Sequence, residues 1–397
     1  MEKKAVMFGA GNVGRGFLGQ LFHESGYEVV FVDIDEELVA ALNRQGRYTI
    51  RLVTNESAEE VVIDWVRAVH GRDREAVSSE MVDAVLMATA VGVPALPHIA
   101  PAIALGVARR AEAGVEEPLN IIVCENLKDA SQVFRGMVRE NLPEKYHRFL
   151  AEKIGFVDTV IARMAPLIPP EVRAQDPTLV IVEPYKVLPV SKEGFIGPVP
   201  QIVGMEAHSN FAAYVDRKLY IHNAAHAMQA YLGYRKGLEY GYQAMEDPDI
   251  YPLVLKAMEE SAMALVSRYK LDPAALKEHI SDLDFRFRNR ALGDTIFRLG
   301  RDPIRKLGPK DRLVGAANLA LEEGVEPEAL AWGIAAGLAF DDERDPKALE
   351  LQKKLAENGL DTALAEVCGL DPKGHLAQMV KERYQKLIPK DGILKRP

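Results

Sequence analysis

Three residues in the stretch DRKLYIHNAAHAMQAYLG, residues 216–233, have side chains whose types and spacing can serve alcohol oxidation: Lys218, Asn223 and His226. If the stretch is one helix, a turn of about 100° per residue sets them near roughly 0°, 140° and 80°. They then share one broad face, with His226 between the other two. Lys218 can take the hydroxyl proton while hydride leaves the carbon, Asn223 can donate to the developing oxyanion, and His226 can orient the substrate. A lysine base needs its pKa drawn toward neutrality by burial or a nearby cation. The same pattern also fits an amphipathic helix whose lysine lies along the surface. His222 and His226 form an i, i+4 pair, the spacing of a helical zinc site. Asn223 stands where H-E-x-x-H requires glutamate, however, and no third ligand is evident, so no metal is expected.

A second constellation lies at the start of the chain. AVMFGAGNVGRG sets Gly9, Gly11 and Gly14 in G-x-G-x-x-G spacing after a strand-like run and ahead of a helical one, with Asn12 on the same turn. Gly9 permits the tight turn, Gly11 lets a pyrophosphate approach the backbone, and Gly14 lets helix pack on strand. The helix N-terminus then offers free N–H groups to the anion. The next strand-like run, EVVFVD, ends at Asp33. A carboxylate there accepts the ribose hydroxyls of NAD and repels the 2′-phosphate of NADP, and the residues that follow, Ile34, Asp35, Glu36 and Glu37, include no arginine. The cofactor expected is therefore NAD. Ala90 and Val91, in the turn closed by Gly92, are further cofactor candidates, because small residues there would let the nicotinamide ribose come near; a plain strand-to-helix turn fits equally.

Asn126, in VCENLKD, sits at the expected C-terminal end of a strand, where ligands of doubly wound sheets bind. Its amide could hold the reacting oxygen or cap a helix. In segment 286–312 nine basic residues face three acids, a local charge of +6 in a chain of net charge −9. Arginine forks suit a phosphate or carboxylate. Arg301, Arg305 and Lys306 are the candidates for a substrate phosphate, although a solvated face paired with acidic neighbours fits too.

Holding these groups in place requires a frame. Residues 5–8, 29–32, 84–88 and 120–123 are short apolar runs suited to strands buried on both faces, and 17–24, 36–43 and 97–112 read as helices between them. This order predicts an α/β fold with a doubly wound sheet. Two β-branched runs, 154–161 and 179–187, are expected to extend that sheet. The Pro- and Gly-rich stretch 189–204 breaks the pattern. It divides the chain into a dinucleotide-binding domain, 1–195, and a helical catalytic and substrate domain, 196–397. A chain of 397 residues with 48% hydrophobic content can fill two cores, and two cysteines suit a reducing cytoplasm. The acidic balance argues against nucleic acid as a partner. The N-terminal run lacks a signal peptide's length and cleavage site. The longest apolar stretch, 329–340, falls short of the roughly 20 residues a bilayer span needs, so no membrane partner is expected.

Several blocks together resemble the polyol-specific long-chain dehydrogenases, the mannitol dehydrogenase family: FGAGNVGRGF, the turn 89–92, EPLNIIVCEN, GFVDTVIARM, RKLYIHNAAHAMQAYLG and RLGRDPIRKLGPKDRL. They span nearly the whole chain, and K-x-x-x-x-N-x-x-H is the most specific of them. The resemblance implies a Rossmann-type N-terminal domain, a mostly α-helical C-terminal domain and no catalytic metal. It assigns Lys218 as general base with Asn223 and His226 beside it, and it points to Asn126 and Asp158. The implied reaction is NAD-dependent oxidation of a hexitol phosphate, D-mannitol 1-phosphate, to the ketose phosphate D-fructose 6-phosphate, by a monomer or weak homo-oligomer. Alternatives are a related enzyme acting on a non-phosphorylated polyol or hexonate, an NAD-binding regulator without chemistry, and a metal-dependent alcohol dehydrogenase. One departure stands in the basic segment: after RFRN the family commonly has Pro and a ring-bearing residue, where this chain has Arg290 and Ala291.

Overall fold

Strands buried on both faces must be apolar at successive positions, and the first half of the chain supplies such runs. In the computed structural model, which describes residues 3–166, 168 and 170–387, eleven strands are assigned among these residues. They are β1 (Lys3–Phe8), β2 (Tyr27–Asp33), β3 (Arg47–Val53), β4 (Ala58–Asp64), β5 (Val66–His70), β6 (Leu86–Thr89), β7 (Leu119–Val123), β8 (Ile154–Asp158), β9 (Val180–Val182), β10 (Leu188–Ser191) and β11 (Met205–His208). Six of them form one parallel sheet in the order β5-β2-β1-β6-β7-β8. Ala5, Met7, Val29, Phe31, Leu86 and Ala88 feed the core on one face, and Val6, Phe8, Val30, Val32, Met87 and Ile121 feed the core on the other. Each fully buried Val, Leu, Ile or Phe is worth roughly 1.5–3 kcal/mol, which is why the strands are continuously apolar. The strand order reverses between β1 and β6, and this topological switch point is where an open α/β sheet binds its ligand.

The run 154–161 extends the sheet as expected, through β8. The run 179–187 does not. Its strand β9 pairs with β3 in a separate three-stranded sheet, β4-β3-β9, and Val180 and Val182 pack with Phe17 and Leu18 of the first helical segment. A β-branched run reports that a strand exists, not which sheet it joins. β3 alternates apolar with polar residues, β4 begins and ends in exposed residues with Ile63 alone buried, and β5 carries Arg67, which pairs with Glu28 and Glu80, so none of the three stands out as a buried run.

Two compact units divide the chain, 1–211 and 212–397. The boundary expected at 195/196 thus falls inside the first unit, because β10 and β11 pair in parallel across the Pro- and Gly-rich stretch. Asn120 on β7 fastens that stretch further: its amide donates to the Ile196 carbonyl at 3.2 Å and accepts from the Ile196 N–H at 2.9 Å.

In the second unit the described residues contain helices and no strand. Helix Ala224–Arg235 is buried almost all round. It is packed by helices Gly241–Glu246, Ile250–Tyr269, Ile296–Gly300 and Glu328–Leu338. A helix apolar on every side belongs at the centre of a helical core. No helix among the described residues is long and apolar enough to cross a membrane.

Asn120→Ala removes both bonds to Ile196 and leaves a half-buried N–H unpaired. It is expected to lower the unfolding free energy of the first unit by about 1–3 kcal/mol, read as a lower urea midpoint at unchanged slope. An unchanged midpoint would show the fastening to be dispensable.

Candidate active site

Each unit carries one part of the expected chemistry. In the first, the turn after β1 is tied from several sides. Gly9 has φ +91° and donates its N–H to Val32 O at 2.8 Å. A Cβ on Gly14 would lie 1.8 Å from Gly9 O, whereas a Cβ on Gly11 would meet nothing within 4 Å. Gly14 is therefore required by packing, and Gly11 borders open space. Asp33 Oδ2 accepts the Ala10 N–H at 2.6 Å and Oδ1 accepts the Asp35 N–H at 3.0 Å. Arg15 donates to Ala10 O and to the carbonyl of Thr178. Its segment, Gly14–Gly19, is a π-helical turn leading into helix Gln20–Glu24. Asn12 is half-buried on the same turn. First-turn N–H groups lack intrahelical partners, so they, the open ground at Gly11 and the Asp33 carboxylate fit a dinucleotide.

Two features at this end are not visible in the local sequence. Arg173, 138 positions from Asp35, reaches its carboxylate at 3.2 Å, so an arginine does stand near the residues following β2. The turn Ala90–Gly92 is clamped by Glu125, whose carboxylate accepts the N–H groups of Val91 and Gly92, both at 2.9 Å. The backbone donors of that turn are thereby occupied, and Ala90 backs on Gly9. Asn126, next in the chain, is exposed, and no hydrogen bond to its side chain is found among the described residues. Asp158 is engaged locally: it accepts from Ser131 N at 2.9 Å and Ser131 Oγ at 2.5 Å, holding the start of helix Ala130–Glu140.

The second unit carries Lys218, Asn223 and His226 on one helical stretch, but the stretch is not uniformly α. Helix Ala212–Arg217 passes into a π turn at Lys218–Asn223 and then into helix Ala224–Arg235. A π turn bonds i to i+5, so Lys218 and Asn223, its first and last residues, come closer in phase than the α-helical estimate allows. Lys218 is half-buried and meets no carboxylate among the described residues. Burial, then the Arg312 guanidinium, lower its pKa from 10.5 to about 8. Burial first, then Arg286 and Arg298, lower His226 to about 3, so the ring is neutral near pH 7. It packs on Phe287 with centroids 4.4 Å apart and edge-on to His222 at 4.8 Å. Asn223 is half-buried beside them. Together these groups form a near-neutral amine, an amide donor and an uncharged imidazole. Among the described residues no group of three His, Cys, Asp or Glu side chains could hold a metal.

The basic segment is more neutralised than its local count implies, because acids preceding it in the chain answer it. Arg286 pairs with Asp282, Arg288 with Asp284 and Arg290 with Glu246, while Arg298 pairs with Asp294 and Arg312 with Asp311. Arg290, at the departure from the family pattern, also lies 5.5 Å from the Tyr242 ring centroid. Of the three phosphate candidates, Arg305 pairs with Asp302 at 2.7 Å and Arg301 is exposed. Lys306 is buried and donates to Leu299 O. Burial, then Arg312 and Arg305, lower it to about 7. Sequence reasoning missed Arg312, Phe287 and Glu125. Arg312 and Phe287 lay within blocks already noted, and Glu125 stood beside Asn126, but their partners are distant in the chain.

The mannitol dehydrogenase Rossmann domain model matches residues 3–204, and the mannitol dehydrogenase C-terminal domain model matches residues 210–388. A mannitol-1-phosphate 5-dehydrogenase of Brevibacillus brevis is 39% identical over 384 residues, 96% of this chain and 98% of that protein. One of Thermoanaerobacter pseudethanolicus is 35% identical over 384 residues, 97% of this chain and 98% of that protein. Among solved structures, D-sorbitol dehydrogenase in substrate-free form matches with a TM-score of 0.82 at 17% identity, covering 99% of this chain and 94% of that one, a likeness of fold.

Two glycine variants separate packing from ligand space. Gly14→Ala is expected to destabilise the first unit, since its methyl group would overlap Gly9 O. Gly11→Ala should keep a wild-type melting temperature yet bind NADH at least about tenfold more weakly. Unchanged NADH affinity in a folded Gly11→Ala protein would remove the dinucleotide from this turn.

Proposed function

The chain belongs to the mannitol dehydrogenase family, and we propose that this oxidoreductase interconverts D-mannitol 1-phosphate and D-fructose 6-phosphate with NAD as the partner. The observation that carries the reading is Lys218: a half-buried amine with its pKa lowered to about 8, on the π turn that also bears Asn223 and next to His226. The names of the relatives supply the substrate class.

The bound nicotinamide supplies the hydride acceptor. Lys218 Nζ, neutral at the start, takes the proton of the reacting hydroxyl as the carbinol C–H bond breaks and C=O forms. The Asn223 amide donates to that oxygen, which carries the developing negative charge; Asn126, at the strand ends of the first unit, is assigned to hold a ligand oxygen there. His226, uncharged and braced by Phe287, orients the substrate. In the reverse direction the Lys218 ammonium returns the proton. Arg301, Arg305 and Lys306 are assigned to the phosphate; Lys306 suits it because it donates to a carbonyl, Leu299 O, and pairs with no carboxylate among the described residues. Asp33 favours NAD over NADP by charge, and Arg173 is engaged by Asp35 instead of standing open. Gly9, Gly11, Asn12 and Gly14 hold the pyrophosphate, with Ala90 and Val91 at the nicotinamide end. Buried, unpaired Cys124 and Cys368 agree with a cytoplasmic protein, acting as a monomer or weak homo-oligomer on small molecules.

Lys218→Ala is expected to cut turnover by about 10²–10⁴-fold while NADH binding survives. In the wild type, oxidation should rise with pH through about 8, as the amine loses its proton, and ketone reduction should fall over the same range. Near-normal kcat with an unchanged profile would make Lys218 structural. Asp33→Asn, which keeps an acceptor for Ala10 N–H, should raise NADP use relative to NAD by about tenfold; a wild type using both equally would refute the charge argument. Equal kcat/KM for mannitol and mannitol 1-phosphate would overturn the phosphate assignment.

A further inference from the structure

Glu125 lies two residues beyond β7, among the strand ends of the sheet's second half. A doubly wound sheet binds a dinucleotide as two mononucleotide halves across its switch point. Strands β1, β2 and β5, with Asp33, would hold the adenosine half. The ends of β6 and β7, with the Ala90–Gly92 turn and Glu125, would hold the nicotinamide half. Glu125 is only 9% exposed. Each of its carboxylate oxygens accepts a backbone N–H at 2.9 Å, from Val91 and Gly92. Two converging donors favour the carboxylate form, which accepts more strongly at both oxygens. Burial works the other way and pushes the carboxyl's pKa up. Among the described residues no lysine, arginine or histidine pairs with it. A buried anion answered by amide dipoles and the Thr89 hydroxyl, with no cation, leaves net negative potential at its site.

We propose that Glu125 is a charge-selecting residue of the cofactor site, its negative charge favouring the oxidised, positively charged nicotinamide over the neutral reduced ring. The proposal rests on the nicotinamide reading above and assigns Glu125 a task beyond shaping the turn. A turn-shaping residue alters the affinity for both cofactor forms alike, because both share the same backbone contacts. A charge alters their ratio, because only one form carries the ring charge. Acting across a few ring widths in a medium of effective dielectric about 20, a unit charge shifts that ratio on the order of tenfold.

The test is separate titration of NAD⁺ and NADH into the purified full-length protein, by calorimetry and by NADH fluorescence, for the wild type, Glu125→Gln and Glu125→Asp. In Glu125→Gln the dissociation constant for NAD⁺ should rise about tenfold more than that for NADH, while Glu125→Asp, which keeps the charge, should hold the wild-type ratio even if both affinities fall. Glu125→Gln sets an NH₂ group against one of the two N–H donors. If it does not fold, Glu125→Ser removes the charge without that opposition and should show the same shift in ratio. Equal factors for the two cofactor forms in the uncharged variants would reduce Glu125 to a turn clamp and overturn this proposal alone. A wild type that binds neither form would overturn the cofactor reading and this proposal with it.

Discussion

An amine buried without a carboxylate partner is held at a cost, and the second unit is arranged around that cost. Lys218 lies beside Arg312, and burial and like charge both press its proton off. The surrounding acids are committed elsewhere: Asp311 to Arg312, Asp294 to Arg298, Asp282 to Arg286. Were any of those carboxylates to face Lys218 instead, the amine would return toward its solution pKa. The ion pairs of the basic segment therefore do more than neutralise a surface. They fix the positions of the cations that perturb Lys218 and His226.

The first unit solves a complementary problem. A ligand-binding turn must leave its backbone donors free, yet a free backbone has little to hold it in shape. Asp33 and Arg15 grip Ala10 at its N–H and its carbonyl, so the glycine turn is fixed without occupying the donors of the first helical turn. At Ala90–Gly92 the opposite choice is made, and Glu125 takes the donors outright. That turn can offer a ligand its surface and its charge, but not its N–H groups.

The frame of the first unit was largely legible because strands buried on both faces write themselves as apolar runs, and because turn, helix and Asp33 follow at short range. β3, β4 and β9 were not, since a hairpin whose second strand is largely exposed and a three-residue strand carry weak signals and β3 pairs with β9 across more than a hundred residues. The same limit applies to the site. Lys218, Asn223 and His226 stood out by type and spacing as candidates, in a pattern that an amphipathic helix fits as well. Arg173 beside Asp35, and Glu246 beside Arg290, are meetings of distant segments that no local pattern records. Asp158, to which the family resemblance points, makes two bonds to Ser131 that no local pattern records either. The π turns were invisible for another reason. Helical periodicity is an average over a dozen residues or more, and one wide turn barely shifts it.

Those wide turns have a consequence for how the chain tolerates change in length. An i to i+5 ring contains one residue more than an i to i+4 ring, so Gly14–Gly19 and Lys218–Asn223 each behave as an α-helix with a single extra residue. Removing one residue from such a turn lets it close as ordinary α-helix while the flanking segments keep their phase. The buried faces of helices Gln20–Glu24 and Ala224–Arg235 would stay where they are. Elsewhere in a packed helix the same deletion rotates everything downstream by about 100° and exposes the core. At these two places the fold and the site are thus separable in units of one codon: a chain shortened there can keep its architecture and lose the spacing that sets its functional groups side by side.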